Sequence, residues 1–464
     1  MPLVNYDKYL ISGSSYYPNS VENRDSYSYN FIANDTELLA LPSYHSVDSL
    51  IKGKCRGVYY YSLIEANIVV IQNIAYIVRI TISNTISIQQ IGHISDNEEA
   101  VSIAGNNREE ILIVSDSKVY YYDIKNRVFS ELAIENCNPI YVSYNLAQFI
   151  LTDSKNNEWR LSDISNSTSF PINSSHVLPY SDNSHLKAIV SHNLETGVLL
   201  LLSDKKCQFW ASSAVKPDQF PYFLIGGSDS AYGCVTNSTI VAYGHSVVWL
   251  TQDDLNRYSI AVANLKRSSI SLFDVNGLSD YLSDNCKDEV LLADRFIFYN
   301  SEYYVLHLLN KGISLLIDFN GNWFHLSQDY FFQLNENFVL DKQGIISKIM
   351  DKNELNPNKQ NPQKCIRIVS PLIFDSYKKI KNFRLRVSSF DLKDDEDNQI
   401  ILNYSKNAGL SYFGTTRVFL NTLNKGKQVH IRRNSLGLSR YFSVKLEVYN
   451  RGFISLNGSQ FEVI

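Results

Sequence analysis

Short runs of β-branched and aromatic residues, separated by polar turn residues, recur along most of the chain. One set of three runs covers residues 57–61, 67–71 and 75–80, with the sequences GVYYY, NIVVI and AYIVRI. Each run has the length of a strand, and Val, Ile and Tyr suit strands that are half-buried on a pleated sheet. The hydrophobic pattern therefore predicts an all-β chain of short antiparallel strands.

The same set of runs returns at a spacing of roughly 40–50 residues, which is typical of propeller blades with four strands. The later copies begin near residues 100, 139, 186, 232 and 294. Turn residues such as Ser115-Asp116-Ser117 separate the runs and favour tight hairpins. Six copies predict a β-propeller of six blades, whose closed ring leaves few sheet edges exposed. A stack of β-sandwiches is the alternative for the same pattern.

The composition changes after the last copy. Residues 341–361 become polar towards their end, which contains Pro357 and is followed by Pro362, so this segment predicts a linker. Strand-like runs in the final hundred residues predict a small β-sandwich packed against the ring. The expected regions are an N-terminal extension at 1–50, a propeller at 51–340, a linker at 341–364 and a C-terminal β domain at 365–464. The extension is rich in Tyr, Ser and Asn, and we expect it to cover the propeller or contact a partner.

Composition excludes some classes of protein. Charged residues make up 19% of the chain and the formal net charge is −4, which gives no overall electrostatic attraction for nucleic acid. The six cysteines are scattered without a CxxC motif. We therefore expect buried, reduced thiols and no zinc site. The start of the chain has no signal-peptide pattern, and no apolar run approaches the ~20 residues of a transmembrane helix. We therefore expect synthesis in the cytoplasm and no membrane anchor.

Catalytic motifs are missing from the sequence. It contains no GxxxxGK[ST], HExxH or GxSxG motif, so we expect no enzyme activity, no catalytic residue, no cofactor and no metal. His307 and His325 lie in strand-like runs and are interpreted as satisfied core or rim histidines. The four acids at 394–397 lack the spacing and the glycine of a calcium loop, and are interpreted as a solvated hairpin tip.

One concentration of basic residues remains as a candidate site. It comprises Lys425, Lys427, Arg432, Arg433 and Arg440. The functional interpretation is a surface that docks an acidic partner or faces DNA in a channel. The alternative interpretation is ordinary exposed charge on strands.

Several segments, in order along nearly the whole chain, resemble the packaged DNA stabilisation proteins of P22-like short-tailed phages, the tail hub or tail accessory factor family. Cys55-Arg56-Gly57-Val58-Tyr59 resembles the Arg-Gly-Val start of that family's first blade. Residues 304–324, with a central His-Leu and a later Asn-Trp turn, resemble one of its blades. Residues 403–412 and 432–448 resemble its final strands in the spacing of Asn, Gly and Arg.

This resemblance implies a structural virion protein of the phage tail. Such a protein would form a ring, by implication a hexamer, that closes the portal channel after packaging and stabilises the packaged DNA until genome ejection. Its implied partners are the portal adaptor protein, the tail needle and the tailspike, with at most non-specific contact to DNA.

Two other hypotheses stay open. A glycan-binding or glycan-cleaving propeller would need acids that converge at the ring centre. A host-type interaction propeller would be favoured by a repeated Trp-Asp dipeptide, which the sequence lacks.

Overall fold

A computed structural model shows an almost entirely β-structured protein, as the sequence predicts. It describes residues 3–11, 14–15, 26–33, 36–48, 52–177, 184–191, 197–213, 220–273, 275–320, 322–328, 331–341, 343–349, 363–390, 398–420, 428–450 and 453–464. The N-terminal elements are β1 (Leu3–Asn5), α1 (Asp7–Leu10), β2 (Tyr27–Tyr29), β3 (Phe31–Ala33), β4 (Leu38–Ala40) and β5 (Tyr44–Asp48).

The next twenty strands form five antiparallel sheets of four strands each. Blade one contains β6 (Cys55–Tyr61), β7 (Ala66–Ile71), β8 (Ile74–Ile80) and β9 (Ile86–His93). Blade two contains β10 (Ser102–Gly105), β11 (Glu110–Ser115), β12 (Lys118–Asp123) and β13 (Val128–Leu132). Blade three contains β14 (Pro139–Asn145), β15 (Gln148–Asp153), β16 (Glu158–Leu161) and β17 (Ser175–Val177). Blade four contains β18 (Leu186–Ser191), β19 (Val198–Ser203), β20 (Cys207–Ser212) and β21 (Tyr222–Leu224). Blade five contains β22 (Val241–Tyr243), β23 (Ser246–Gln252), β24 (Tyr258–Asn264) and β25 (Ser269–Phe273).

Helix α2 (Leu278–Asn285) leads to blade six, which contains β26 (Leu291–Phe298), β27 (Ser301–Leu308), β28 (Ile313–Ile317) and β29 (Trp323–Leu326). The last sheet contains β30 (Phe332–Asn335), β31 (Phe338–Leu340), β32 (Ile346–Ile349) and the N-terminal strand β5. Short 3-10 helices cover Ser62–Ile64, Ile172–Ser174 and Asn237–Thr239.

In blades one and four, for example, a continuous hydrophobic run of the sequence forms the second strand. Every residue of β7 is buried, and so are the last five residues of β19. A strand buried on both faces reads as a continuous apolar run, because neighbouring blades cover it from both sides. The hairpin between β11 and β12 turns at Asp116 and Ser117, whose φ angles of 51° and 59° are the left-handed values that a tight two-residue hairpin requires.

The ring has seven blades, and the sequence prediction of six is wrong. Each pair of neighbouring blades shares its own cluster of buried hydrophobic side chains, from blades one and two round to blades seven and one. The missed blade takes β32 from residues that we expected to be a linker and β5 from the expected N-terminal extension. Because β5 pairs antiparallel with β32, a strand from the start of the chain closes the ring.

The C-terminal region is a sandwich-like pair of sheets. Its strands are β33 (Gln363–Ile368), β34 (Leu372–Phe390), β35 (Gln399–Ser405), β36 (Phe413–Phe419), β37 (Gln428–Asn450) and β38 (Phe453–Val463). The first half of β37 pairs with β34, and its second half pairs with β33 and β35, so this long strand belongs to both sheets. One buried cluster fills the space between the sheets and includes Phe383, Leu385 and Phe442.

The C-terminal region is continuous with the propeller through blade six. Strand β2 pairs in parallel with β29, where Tyr29 lies opposite His325, and its other edge pairs with β33. Blade six and the C-terminal strands are therefore parts of one hydrogen-bonded sheet of 14 strands.

Candidate docking surface

The structure separates the basic residues that the sequence groups together. Lys425 and Lys427 lie outside the described residues. Arg432, Arg433 and Arg440 all lie on β37, but successive residues of a strand point to opposite faces. Arg433 lies opposite Phe383, a core residue, and so shares the inner face, whereas Arg432 points outwards. Arg440 is eight positions further along the strand, up to about 26 Å from Arg432 at the usual rise per residue.

Arg432 instead lies beside two arginines of the neighbouring strand that the sequence analysis missed. In the antiparallel register, Arg384 of β34 lies directly opposite Arg432, and Arg386 lies opposite His430. The third strand of this surface is β38, which pairs with the other edge of β34. We call the resulting outward surface the arginine face. Its three rows across β38, β34 and β37 are Gly458, Arg386 and His430, then Gln460, Arg384 and Arg432, then Glu462, Asn382 and Asn434. Asn382, in the last row, is only 1% exposed, so the accessible part of the face is formed mainly by the rows of Arg384 and Arg386.

Alternation along β34 creates this surface. Phe383, Leu385 and Val387 are each at most 1% exposed in the C-terminal core, so the residues between them must point to the opposite side. Arg384 and Arg386 are the residues between them. The pattern Phe-Arg-Leu-Arg-Val was a visible sequence signal for an outward pair of arginines, but the sequence did not show that β37 adds Arg432 to it.

The charge of the arginine face is positive despite one carboxylate. Glu462 accepts hydrogen bonds from Asn382 Nδ2 at 2.5 Å and from Lys381 Nζ at 3.3 Å. Partial burial would raise the pKa of Glu462, but these hydrogen bonds and the charges of Lys381 and Arg384 outweigh it, so the pKa lies below its usual value. Glu462 is therefore ionised, and its ion pair is with Lys381. Among the residues described, Arg384, Arg386 and Arg432 form no ion pair.

Placing like charges directly opposite each other on neighbouring strands is destabilising. Arg384 and Arg432 are in that arrangement. In addition, Arg384 Nε is buried and has no hydrogen-bond partner within the described part of the chain. A buried donor without a partner is unfavourable, so an additional acceptor beside Arg384 would be stabilising.

The two histidines of interest have structural roles. His307 is fully buried, with Nδ1 2.7 Å from Ser314 Oγ and Nε2 2.9 Å from the Phe331 carbonyl oxygen. Burial lowers the pKa of His307 to about 4 and that of His325 to about 4, so both rings are neutral at pH 7. The acidic run at 394–397 lies outside the described residues. Across the described ranges, no three His, Cys, Asp or Glu side chains are grouped as metal ligands.

Arg56, in the Arg-Gly-Val segment, is also structural. It is 2% exposed and donates through Nε to the Glu99 carbonyl at 2.7 Å. Its Nη1 donates to the Gln72 and Ser95 carbonyls at 2.9 Å, and its Nη2 to Ser115 Oγ at 2.6 Å and to Asn97. This side chain fastens blade one to blade two and to the segment between them.

The segment before the inner strand of blade five contacts two other blades. Asn237, which precedes the inner strand of blade five, donates through Nδ2 to the Ile140 carbonyl of blade three at 2.8 Å. The next residue, Ser238, donates to the Leu291 carbonyl of blade six at 2.7 Å. The segment thus connects blade five to blade six and, past blade four, to blade three. Neither α-helix in the described ranges is long and apolar enough to cross a membrane.

Solved propeller structures are similar to this chain at low sequence identity. The WD40 β-propeller domain of Doa1 is 9% identical, with 66% of this chain and 96% of that chain covered and a TM-score of 0.42. Virginiamycin B lyase from Staphylococcus aureus is 9% identical over the same shares, with a TM-score of 0.40. PorZ, a type-IX secretion component of Porphyromonas gingivalis, is 11% identical, with 73% of this chain and 44% of that chain covered and a TM-score of 0.37. Similarities of this size carry no functional argument.

A search of curated proteins finds no match. A family model, in contrast, matches residues 2–336, which include the N-terminal strands, the first six blades and the start of the seventh. That family is described as "Bacteriophage P22 Gp10, beta-propeller". The chain therefore belongs to the P22 Gp10 β-propeller family and is a phage structural protein.

Proposed function

We propose that this protein is the tail hub of a short-tailed phage. In this role it closes the portal channel after DNA packaging and stabilises the packaged DNA. It also docks the tail needle and the tailspikes in the virion tail. The observation that carries the proposal is the family match over residues 2–336. The match favours a phage role over a host interaction propeller or a glycan-acting protein.

The architecture supports a mechanical rather than a catalytic role. All seven blade interfaces contain buried hydrophobic clusters, and β5 closes the ring by pairing with β32. A close-packed interior deforms little under load, since each displacement opens voids or forces side chains from their rotamers. The expected mechanism is steric, with several copies, by family resemblance six, forming a ring below the portal and its adaptor.

The test is the mass of the purified full-length chain, measured by light scattering alone and after mixing with the portal–adaptor complex of the same phage. We expect several copies to join each portal ring and to co-elute with it. The matched negative control is the portal ring without its adaptor, which should bind fewer copies or none. A chain that stays monomeric and never joins the adaptor-loaded ring would overturn the proposal.

A second readout addresses DNA retention. Filled capsids that carry the adaptor should lose DNA on mild heating, and adding the purified chain should slow that loss. An unchanged rate of DNA loss, with the chain demonstrably bound, would contradict the stabilising role.

A further inference from the structure

We propose that the arginine face binds the phosphate backbone of double-stranded DNA without sequence preference. The inference rests on the proposed function for the encounter with DNA. The binding chemistry itself follows from the side chains on β34, β37 and β38, a surface beyond the residues that the family model matches.

The geometry of the three arginines suits a row of phosphates. Arg384 and Arg386 are two positions apart on one face of β34, about 6.6 Å along the strand. Arg432 lies across from Arg384, with about 5 Å expected between their Cβ atoms. Guanidinium groups bind phosphate oxygens through two parallel hydrogen bonds, so three of them at this spacing can hold adjacent phosphates of one strand. The unpaired Nε of Arg384 would gain a partner in such a complex.

The other side chains of the face favour DNA over an acidic protein. Gln460, Asn434 and His430 are polar, and Gln and Asn are common donors to phosphate and sugar oxygens in DNA complexes. None of the nine residues is Phe, Tyr, Trp or a large aliphatic residue. The strongest contacts of protein interfaces are enriched in Trp and Tyr as well as Arg, whereas protein–DNA interfaces are more polar and more positively charged.

A glycine shapes one corner of the surface. A Cβ on Gly458 would lie 2.7 Å from Arg386 Nε, so the guanidinium end of Arg386 rests over this position of β38. The substitution Gly458→Ala would therefore displace Arg386 without changing the charge of the protein. This variant therefore tests the effect of the position of Arg386 on DNA binding at constant net charge.

The test measures binding of a fluorescent 25-base-pair duplex to the full-length chain by anisotropy at several salt concentrations. The variant is Arg384→Gln/Arg432→Gln. Its matched control, Arg127→Gln/Arg267→Gln, removes two exposed arginines from outer hairpin turns of blades two and five. We expect the slope of log affinity against log salt to fall by about 0.9 for each arginine lost from the face, and to stay unchanged in the control. Gly458→Ala should weaken binding with a smaller change of slope.

Each outcome decides the inference. Equal losses of DNA affinity in the variant and in the control would overturn it. So would the absence of duplex binding by the wild-type chain at about 50 mM salt. Loss of adaptor binding with DNA binding intact would also overturn it, because the face would then dock an acidic protein. DNA binding through this face by a chain that never joins the portal ring would support the inference and contradict the tail-hub proposal. The variant should fold, since it removes a repulsion between Arg384 and Arg432.

Discussion

Asp294 is a half-buried carboxyl on the inner strand of blade six, and its substitution should stabilise the ring in a pH-dependent way. Its Oδ2 accepts a hydrogen bond from the Gln333 amide of blade seven at 3.1 Å. Burial raises the pKa of the Cys55 thiol on blade one, and the charge of Asp294 adds to this increase. The carboxyl therefore lies where blades six, seven and one meet.

Burial raises the pKa of Asp294 to about 7, against 3.8 for an exposed aspartate, although hydrogen bonds from Arg295 and Gln333 partly oppose the shift. Below pH ~3.8 both the folded and the unfolded chain hold the proton, and the group has no effect on stability. Between pH 4 and 7 only the unfolded chain releases it, so the free energy of unfolding falls as the pH rises. A shift of about 3 pH units corresponds to about 4 kcal/mol, an upper bound because the residue is half-buried.

Asp294→Asn keeps an acceptor for the Gln333 amide and removes the ionisable group. We expect it to stabilise the chain by up to about 4 kcal/mol at pH 8 and by up to about 1.7 kcal/mol at pH 5. The assay is the urea midpoint from tryptophan fluorescence, measured for wild type and variant at both pH values. The wild-type value must be subtracted at each pH, because His307 and His325 also make stability depend on pH. Their pKa values are lowered to about 4 in the folded chain, so the free energy of unfolding falls as the pH drops below 6.5.

Asp253→Asn is the matched control. Backbone hydrogen bonds, chiefly from Arg257, lower the pKa of Asp253 despite a small opposing effect of burial, so this exposed group stays ionised from pH 5 to 8. Its substitution should shift the midpoint equally at both pH values. An Asp294→Asn variant whose effect is the same at pH 5 and pH 8, or that is less stable than wild type at pH 8, would refute the reasoning.

Three further predictions concern the ring and its thiols. Gly344→Ala should cost about 1–2 kcal/mol more stability in thermal unfolding than Gly312→Ala. Both positions have positive φ, but only the first Cβ would meet a neighbour, 2.7 Å from the Gly53 carbonyl. Arg56→Met should lower the unfolding free energy by about 3–5 kcal/mol, because it leaves buried acceptors unpaired; the exposed Arg127→Met should change it by less than about 0.5 kcal/mol. Cys137, the one half-buried thiol of the six, should react first with a disulfide reagent, slowly because burial raises its pKa to about 12, and all six should react in denaturant.

Local pattern was sufficient for most of the propeller. Blades one to five each contain a long apolar second strand or an aromatic third strand, and period and turn chemistry locate them without knowledge of the contacts. Blade seven lacks that signal, because its strands β30, β31 and β32 have four, three and four residues. Its fourth strand comes from residues 44–48, almost three hundred positions away in sequence. Pairing between such distant segments depends on tertiary packing, which cannot be predicted from the local hydrophobic pattern.

The arginine face shows the same limit at the level of a site. Arg432 stood out because Arg433 is next to it, yet the two residues lie on opposite faces of β37. The true neighbours of Arg432 are set by the register of β34 against β37, which passes through irregularities between Ile373 and Lys378 and between Ile380 and Asn382. A shift of one residue would have brought Phe383 or Leu385 opposite Arg432 instead. Composition identified the basic residues, and only the register identified the surface.

The contacts between the inner segments of blades three, five and six constrain how a hub of this kind can surround DNA. Asn237 and Ser238 connect blade five to blades three and six, so a direct hydrogen bond links blades three and five, which are not neighbours in the ring. The major groove of a DNA duplex alone is about 12 Å wide, and the whole duplex is wider. We therefore expect DNA to pass between copies of the chain rather than through one propeller. Three arginines from each copy would then face the same channel, which predicts that Arg384→Gln/Arg432→Gln hubs bind portals normally but release packaged DNA at lower salt than wild type.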